Sequence, residues 1–297
     1  MIFTITFLGT GSSIPTARKN HTGILVQTER ENILVDCGEG IQRQFKIAKL
    51  NPCKLTKILI THWHADHSLG LTGLLSTLNM SNYQKTLQIY GPMGTLQKIR
   101  LLEEVYGRFK ISFKVHELSN GSFETPELII ESAEMTHLIP TIAYSLAIKD
   151  KIRLDKTKIK KYGLPNSPIL KDLQKGKDIV YKNKKYKAKN ITYVEKGKKI
   201  SIVLDTSENK NTLKIAKNSD LLICESTYSC EEKAKAAEYK HLTTKQAAEI
   251  AKKSKVKKLI ITHLSQKHER NEKSLLDEAK NIFPNTHLAK DLETLVV

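Results

Sequence analysis

The chain has 297 residues, a mass of 33.6 kDa and a mean hydropathy of −0.37. With 39% hydrophobic and 27% charged residues, the composition excludes a disordered, collagenous or coiled-coil protein. No stretch approaches the roughly 20 consecutive apolar residues that a membrane span requires. The N-terminal sequence MIFTITFLGTGSS lacks the basic start of a signal peptide.

The cysteines and the charge further narrow the class of protein. The chain has four cysteines without CxxC spacing, which argues against a disulfide scaffold or a zinc ribbon and predicts a reducing, cytoplasmic location. The formal net charge is +18, and residues 149–199 hold 18 Lys and Arg against 5 Asp and Glu. A uniform, lysine-rich compositional bias would not concentrate the charge in one segment. The local excess therefore favours binding of an anionic polymer such as nucleic acid.

Short apolar runs that end in a charged or metal-binding residue recur along the chain and predict buried strands. Their last residues precede Asp36, His62, Asp205 and His263. The sequences KILITH at 57–62 and KLIITH at 258–263 suggest an internal duplication, although two hydrophobic strands can also resemble each other by chance. Because sheet proteins place their chemistry at the C-terminal ends of strands, these four residues are candidates for a site.

The spacing of apolar residues predicts helices between these strands. They are expected over residues 40–49, 72–80, 94–106 and 272–282, and a capping box at Thr243 predicts one more helix start. Residues 149–190 fit neither the helix nor the strand period and contain four Gly or Pro residues among many lysines. We expect this segment to project from the core as an arm.

The densest group of metal-binding side chains is Thr61-His62-Trp63-His64-Ala65-Asp66-His67. Residues two apart point to opposite sides of a helix, so this spacing predicts a tight loop after a strand. In such a loop, His62 and His64 can converge on one ion while Asp66 and His67 turn toward a second. Imidazole with carboxylate suits zinc, and less often iron or manganese.

The His-x-His-x-Asp-His segment, with His137, Asp205 and His263 further along, resembles the metallo-β-lactamase superfamily. From FLGTGSSIPT to THLSQKH, the chain is similar more narrowly to tRNase Z, the endoribonucleases that trim the 3′ trailer from precursor tRNA. The resemblance implies an α/β fold, the four-layer αββα sandwich, with residues 1–297 as a single domain. Residues 149–190 would be an inserted, protruding basic arm that binds tRNA.

The resemblance also implies a site with two Zn²⁺ per chain, or Mn²⁺ or Fe in their place. The first ion would be held by His62, His64 and His137, and the second by Asp66, His67 and His263, with Asp205 bridging them. Asp36, in the segment LVDCGEG, would orient the metal loop without ligating.

Catalytic roles follow from the same resemblance. His241, in His241-Leu242-Thr243, would protonate the leaving oxygen, and Glu225 would orient it. Asp66 would steer or deprotonate the attacking water. Attack by hydroxide predicts a 3′-hydroxyl on the tRNA and a 5′-phosphate on the trailer.

Two further segments resemble substrate-binding parts of the family. The loop that carries Arg18, Lys19 and Asn20 is similar to one that lies near the cleavage site. Within the basic arm, the residues that match the family's running order and are expected to contact tRNA are Arg153, Gly163, Pro165 and Lys175.

The fold does not choose the substrate, because the superfamily also hydrolyses β-lactams, thioesters and lactones. The alternative is a small-molecule phosphodiesterase or an arylsulfatase-like hydrolase on the same fold. A non-catalytic RNA-binding protein with a vestigial site is disfavoured, because all seven expected ligands are present. The family resemblance further implies a homodimer, with precursor tRNA as partner and no membrane association.

Overall fold

The computed structural model describes residues 2–297, which divide into two compact units. The larger unit, here called the body, comprises residues 2–147 and 198–297. The smaller one, called the arm unit, is Ile148–Gly197.

The elements follow in chain order. The first part of the body contains β1 (Thr4–Gly9), β2 (Gly23–Gln27), β3 (Asn32–Val35), α1 (Ile41–Ile47), β4 (Lys57–Leu59), α2 (Ala65–Ser68), α3 (Gly70–Met80), β5 (Leu87–Pro92), α4 (Thr95–Tyr106), β6 (Phe113–Leu118), β7 (Gly121–Glu124), β8 (Leu128–Glu134) and β9 (Ile142–Ile148). The arm unit contains β10 (Lys151–Leu154), α5 (Lys156–Lys161), α6 (Ile169–Gln174), β11 (Ile179–Tyr181), β12 (Lys184–Tyr186), α7 (Ala188–Ile191) and β13 (Thr192–Glu195). The body then resumes with β14 (Lys199–Val203), α8 (Lys210–Ala216), β15 (Leu221–Glu225), α9 (Lys233–Glu238), α10 (Thr244–Lys253), β16 (Leu259–Thr262), α11 (Glu272–Lys280), β17 (Thr286–Leu288) and β18 (Thr294–Val296).

The strands of the described body form two mixed sheets of seven strands each. Their orders are β18-β1-β2-β3-β4-β5-β6 and β17-β16-β15-β14-β9-β8-β7. In the first sheet β3 to β6 run parallel, and in the second β14 to β17 do. The C-terminal ends of each parallel group therefore share one edge of their sheet.

Each sheet has helices on one face and the other sheet on its opposite face. Leu34 and Ile58 of the first sheet pack in a buried cluster with residues of α1, α3 and α4. The second sheet packs in the same way against α8, α10 and α11. Between the sheets, the buried Tyr144 hydroxyl donates to the Ile60 carbonyl at 2.9 Å, and the Ile142 amide donates to the Thr61 carbonyl at 2.9 Å. The predicted αββα sandwich is confirmed.

The elements predicted for the body are also confirmed, with ends within about two residues. The capping box at Thr243 is present, because its hydroxyl accepts from the Gln246 amide while the Gln246 side chain accepts from the Thr243 amide. The two resembling strands, β4 and β16, lie in different sheets. However, the strands before Asp36 and His62 are neighbours, whereas β15 separates those before Asp205 and His263.

The arm unit has more regular structure than its sequence predicts. Residues 149–190 fit neither the helix nor the strand period, yet short strands and helices fill the segment. Their apolar side chains form a small core of their own, made of Leu164, Leu170, Leu173, Ile179, Ala188 and Ile191. Each element spans three to six residues, which is too short for a periodic pattern to emerge.

No helix within residues 2–297 combines the length and the hydrophobicity that crossing a membrane requires.

Candidate metal centre

The seven expected ligands meet where the two sheets present the ends of their strands. His62 follows β4 closely, and the next turn, α2, carries Asp66 and His67. In the other sheet, Asp205 lies two residues after the end of β14 and His263 directly follows β16. Residues distant in the chain are thus brought into one buried cluster.

Three residues at these strand ends adopt a left-handed backbone conformation that side chains other than glycine rarely take. They are Asp36, with φ of 58°, Asp205, with φ of 44°, and His263, with φ of 61°. Such conformations persist where surrounding contacts determine them, and they concentrate at functional sites. Each turn directs a side chain from the end of its strand toward the cluster.

One group of donor atoms contains His62, His64, His137 and Asp205, all within 4.8 Å of one another. His64 Nδ1 lies 3.0 Å from His62 Nε2 and 3.2 Å from His137 Nε2. Asp205 Oδ2 lies 3.5 Å from His62 Nε2 and 3.8 Å from His137 Nε2.

The second group contains Asp66, His67 and His263. His67 Nε2 lies 3.0 Å from His263 Nε2, and Asp66 Oδ2 lies 3.4 Å and 3.3 Å from these two atoms. Asp205 Oδ1 turns toward this group, 3.4 Å from His67 Nε2 and 3.3 Å from His263 Nε2. The carboxylate of Asp205 therefore stands between the groups, with one oxygen facing each.

The outer nitrogens of four histidines have partners that fix which ring nitrogen carries the proton. His67 Nδ1 donates to Asp36 Oδ2 at 2.7 Å, and His137 Nδ1 donates to the Lys240 carbonyl at 3.0 Å. The Thr61 hydroxyl donates to Asp36 at 2.7 Å, so it accepts from His62 Nδ1 at 3.0 Å. In the same way the Thr227 hydroxyl donates to Glu225 at 2.7 Å and accepts from His263 Nδ1 at 3.1 Å.

These partners leave the Nε2 lone pairs of His62, His67, His137 and His263 facing the cluster interior. Such lone pairs cannot hydrogen-bond one another at 3.0 Å, whereas ligands of a tetrahedral zinc ion at about 2.0–2.1 Å stand roughly 3.3 Å apart. Asp205 Oδ1 is buried without a hydrogen-bond partner. The donor set thus fits metal ions.

The pKa shifts of the histidines in the first group agree with this interpretation. Burial lowers the pKa of His62 well below its ordinary value, and it also lowers the pKa of His64 and His137. Burial raises the pKa of Asp66, but the close contacts of its carboxylate with His263 and His67 outweigh it and hold the pKa below its usual range. Burial lowers the pKa of His67, but Asp205 and Asp36 raise it more, so metal binding there must displace a proton.

The loop after β3 supports the metal loop through direct backbone contact. The fully buried Asp36 accepts from the Thr61 amide at 2.7 Å as well as from the Thr61 hydroxyl and His67. A Cβ at Gly38 would lie 2.3 Å from the Asp66 carbonyl oxygen, so only glycine permits this approach.

His241 and Glu225 form a pair at the cluster, where His241 also belongs to a third, overlapping group of possible metal donors with Asp205 and His263. His241 Nδ1 donates to Glu225 Oε1 at 2.9 Å, and its Nε2 lies 4.0 Å from Asp205 Oδ2. Burial lowers the pKa of His241, but the charges of Glu225 and Asp205 raise it more, to about 9. Glu225 itself ends β15 and is held by the Thr206 amide at 2.8 Å.

A cavity of about 460 Å³ opens onto the cluster and His241. Several of its lining residues were not identified as site residues from the sequence. They are Ser12, Ser13, Leu138, Thr227, Tyr228, Tyr239 and Ser265. In the sequence, only Leu138, Tyr239 and Ser265 lie within two residues of a proposed ligand or of His241, and the other four carry no such signal.

The predicted substrate residues of the first loop differ in exposure. The Arg18 side chain is 78% exposed. The Lys19 ammonium is buried against Glu272 at 2.6 Å, and the Asn20 side chain donates to the Glu39 carbonyl at 2.7 Å. Arg18 is therefore the member of this trio that faces solvent.

The four predicted arm residues lie in the arm unit and outside the metal-binding groups. Arg153 pairs with Glu195, and Lys175 is exposed. Gly163 adopts φ of 60° at an exposed turn, and Pro165 is half-buried. Within the arm unit a cavity of about 640 Å³ is lined partly by Arg153, Lys156 and Lys160.

The fold and the site define the class of the protein. The structure superposes on the metallo-β-lactamase fold protein YhfI from Bacillus subtilis with a TM-score of 0.73 and 19% identity, covering 100% of this chain and 99% of that one. It superposes on human tRNase Z, short form, with a TM-score of 0.71 and 26% identity, covering 98% of each chain. The protein has the metallo-β-lactamase fold with a metal-binding site at the strand ends.

Sequence comparison narrows this class to one family. The chain is 35% identical to ribonuclease Z of Archaeoglobus fulgidus over 306 residues, covering 100% of this chain and 98% of that protein. Residues 3–174 match the family model described as anti-Pycsar protein Apyc1, and over that range the chain belongs to the group so described. Over its full length the chain belongs to the ribonuclease Z family, and the resemblance identified from its motifs is confirmed.

The contacts of Asp36 predict that Asp36→Asn weakens metal binding about 10- to 100-fold, because the amide cannot accept all three hydrogen bonds that orient the metal loop. Zinc affinity measured by competition with a chromogenic chelator tests this. Asp277→Asn, on the exposed face of α11, is the matched control and should bind like the parent protein. Unchanged affinity in Asp36→Asn would contradict the role of Asp36.

Proposed function

We propose that the protein is a zinc-dependent endoribonuclease that removes the 3′ trailer from precursor tRNA. The observation that carries this proposal is the cluster of seven donor atoms around Asp205, in a chain of the ribonuclease Z family. Five of the donors are imidazoles and two are carboxylates, a mixture that favours zinc over manganese or iron.

Two ions account for the arrangement of the donors. His62, His64 and His137 would hold the first, Asp66, His67 and His263 the second, and Asp205 would contribute one oxygen to each. When bound, the ions lower the pKa of water and stabilise the charge that develops on the phosphoryl group.

The residues around the ions supply positioning and proton transfer. Burial lowers the pKa of His241, but the charges of Glu225 and Asp205 raise it more, to about 9, and His241 lines the cavity. It donates a proton to the leaving 3′ oxygen of the tRNA while Glu225 fixes its ring. Asp66, held ionised, orients the attacking water.

Charge supports a polyanionic substrate. The arm unit carries most of the chain's positive excess, and exposed lysines of α5 line its cavity. Together with Arg153, Gly163, Pro165 and Lys175, this surface would bind the tRNA backbone, while Arg18 would contact phosphate near the cut. Phosphate contacts of this kind weaken steeply with added salt.

The alternative is a small-molecule phosphodiesterase or arylsulfatase-like hydrolase. A cavity of about 460 Å³ has the size of a small-ligand pocket, which is the observation in its favour. A small-molecule hydrolase would not need the positive charge of the arm unit. Neutralising that charge should therefore impair cleavage of the substrate only if the substrate is tRNA.

A homodimer and a cytoplasmic location complete the proposal. The homodimer is proposed from the family resemblance alone. All four cysteines are free, which suits a reducing compartment.

Incubation with a 3′-extended precursor tRNA tests the reaction. We expect cleavage that leaves a 3′-hydroxyl on the tRNA and a 5′-phosphate on the trailer, because the attacking group is water. Mapping both new ends measures this. A 2′,3′-cyclic phosphate on the tRNA would mean attack by the neighbouring 2′-hydroxyl and would overturn the mechanism.

The His241→Ala variant should lose about 10²- to 10⁴-fold in kcat, because a general acid is removed. Its zinc content should stay at that of the parent protein, since His241 is outside the seven proposed ligands. Metal analysis and single-turnover cleavage measure both quantities. His287→Ala, which removes a histidine paired with Glu293 away from the cluster, is the control. Loss of zinc from His241→Ala would make it a ligand instead.

Changing the exposed lysines Lys156, Lys160 and Lys161 to Glu should raise KM for precursor tRNA at least tenfold and flatten its salt dependence. Hydrolysis of a small chromogenic phosphodiester should be unchanged. The same change at Lys46, Lys49 and Lys54, which are exposed on the body, is the control. Equal effects on both substrates, or none on either, would favour the small-molecule hydrolase.

A further inference from the structure

One part of the rim of the cavity beside the metal centre carries exposed side chains that are mainly apolar. That part is formed by Leu138 and Tyr239, which are 57% and 47% exposed although both side chains are large and apolar. Exposed apolar groups at the mouth of a polar site indicate contact with an apolar surface of the ligand. The metal ligands and His241 do not require these two side chains.

Hydrogen bonds hold the two rim segments side by side. His137 Nδ1 donates to the Lys240 carbonyl at 3.0 Å, and Lys240 Nζ donates to the His137 carbonyl at 3.4 Å. Leu138 and Tyr239 are the chain neighbours of His137 and Lys240, and both line the cavity. The Tyr239 amide donates to the Lys235 carbonyl at 2.9 Å, and this hydrogen bond fixes the backbone position of Tyr239.

The ring of Tyr239 is available for contact. It stacks on no aromatic ring of residues 2–297, and its side chain makes no hydrogen bond or ion pair within them. Tyr228, the other tyrosine of the cavity, has Lys267 Nζ 4.8 Å from its ring centre and the His241 ring 6.0 Å away. Of the two rings, that of Tyr239 is the more exposed, so it is the one that a flat ligand group can cover.

We propose that Tyr239 and Leu138 form a stacking shelf for the base of the nucleotide on the 5′ side of the cut, the last nucleotide of the tRNA body. This inference rests on the proposed function. The leaving oxygen that His241 protonates is the 3′ oxygen of that nucleotide. His241 is two residues from Tyr239, and its amide donates to the Ala236 carbonyl at 2.8 Å, so both stand on the same turn.

Stacking on such a shelf tolerates any base, because every base has a π-face. The shelf would therefore hold the nucleotide in place without selecting its identity. The contact needs the ring of Tyr239 and not its hydroxyl group.

The test combines variants of Tyr239 with two precursor tRNAs, one normal and one abasic at the nucleotide on the 5′ side of the cut. The parent protein should cleave the abasic RNA with kcat/KM about tenfold lower, the size expected for one stacked base. Tyr239→Ala should show the same loss on the normal RNA and no further loss on the abasic RNA. Tyr239→Phe should behave as the parent protein on both.

Tyr106→Ala, which removes an exposed tyrosine of α4, is the matched control and should cleave both RNAs as the parent protein does. Zinc content and the thermal unfolding midpoint are measured for every variant. If Tyr239→Ala is unstable, Tyr239→Leu keeps apolar volume without a ring and should show the same loss.

Additive losses from Tyr239→Ala and the abasic site would overturn the shelf, as would a parent protein indifferent to the missing base. A changed elution volume of Tyr239→Ala in size-exclusion chromatography would assign the ring to a subunit interface instead. Failure of the proposed function is a separate result, because the parent protein would then release no trailer from the normal RNA.

Discussion

The structure depends on a set of imidazole lone pairs that face one another in a buried space. Partners on the outer nitrogens, namely Asp36, Thr61, Thr227 and the Lys240 carbonyl, place the protons on the outside of the cluster. The inner nitrogens then approach one another to about 3 Å with no proton between them to form a hydrogen bond. Burial of these facing lone pairs is favourable only when a cation binds between them. The hydrogen bonds around the cluster therefore orient the side chains for metal binding.

The two sheets contribute different parts of this site. The first sheet supplies the dense loop at 62–67, whose geometry is fixed by Asp36 and by the close approach of Gly38. The second supplies single residues from separate strand ends, among them Asp205, His263 and Glu225. Thr227 joins Glu225 to His263, so the residues proposed to move a proton and those proposed to bind metal share one hydrogen-bond network.

The sequence allowed the short-range part of the site to be predicted from chemistry alone. Four donors within six residues after a strand can be recognised without knowing the fold, and the strand ends pointed to Asp205 and His263 as well. His137 follows no such pattern and was found through family resemblance, because its partners lie far away in the chain.

Other features depended on tertiary contacts that no local pattern carries. Lys19 looked like a phosphate contact, but folding brings Glu272 to its ammonium group. In the arm unit, Leu164 and Ile191 become core residues of elements too short to show a period. Nothing in the sequence identifies Tyr239 as a site residue, because its position at the cavity depends on a segment that is distant in the chain.

The left-handed backbone at Asp36, Asp205 and His263 has a consequence for how the finished enzyme is assembled. Each such conformation costs on the order of 1–3 kcal/mol, and a chain without ions must accept three of them at the same edge. Ion binding offsets that cost, since a ligand that binds only the completed edge stabilises it by mass action. A metal ion bound at this edge would therefore stabilise three strand-end turns that the apolar layers of the sandwich do not themselves hold in place.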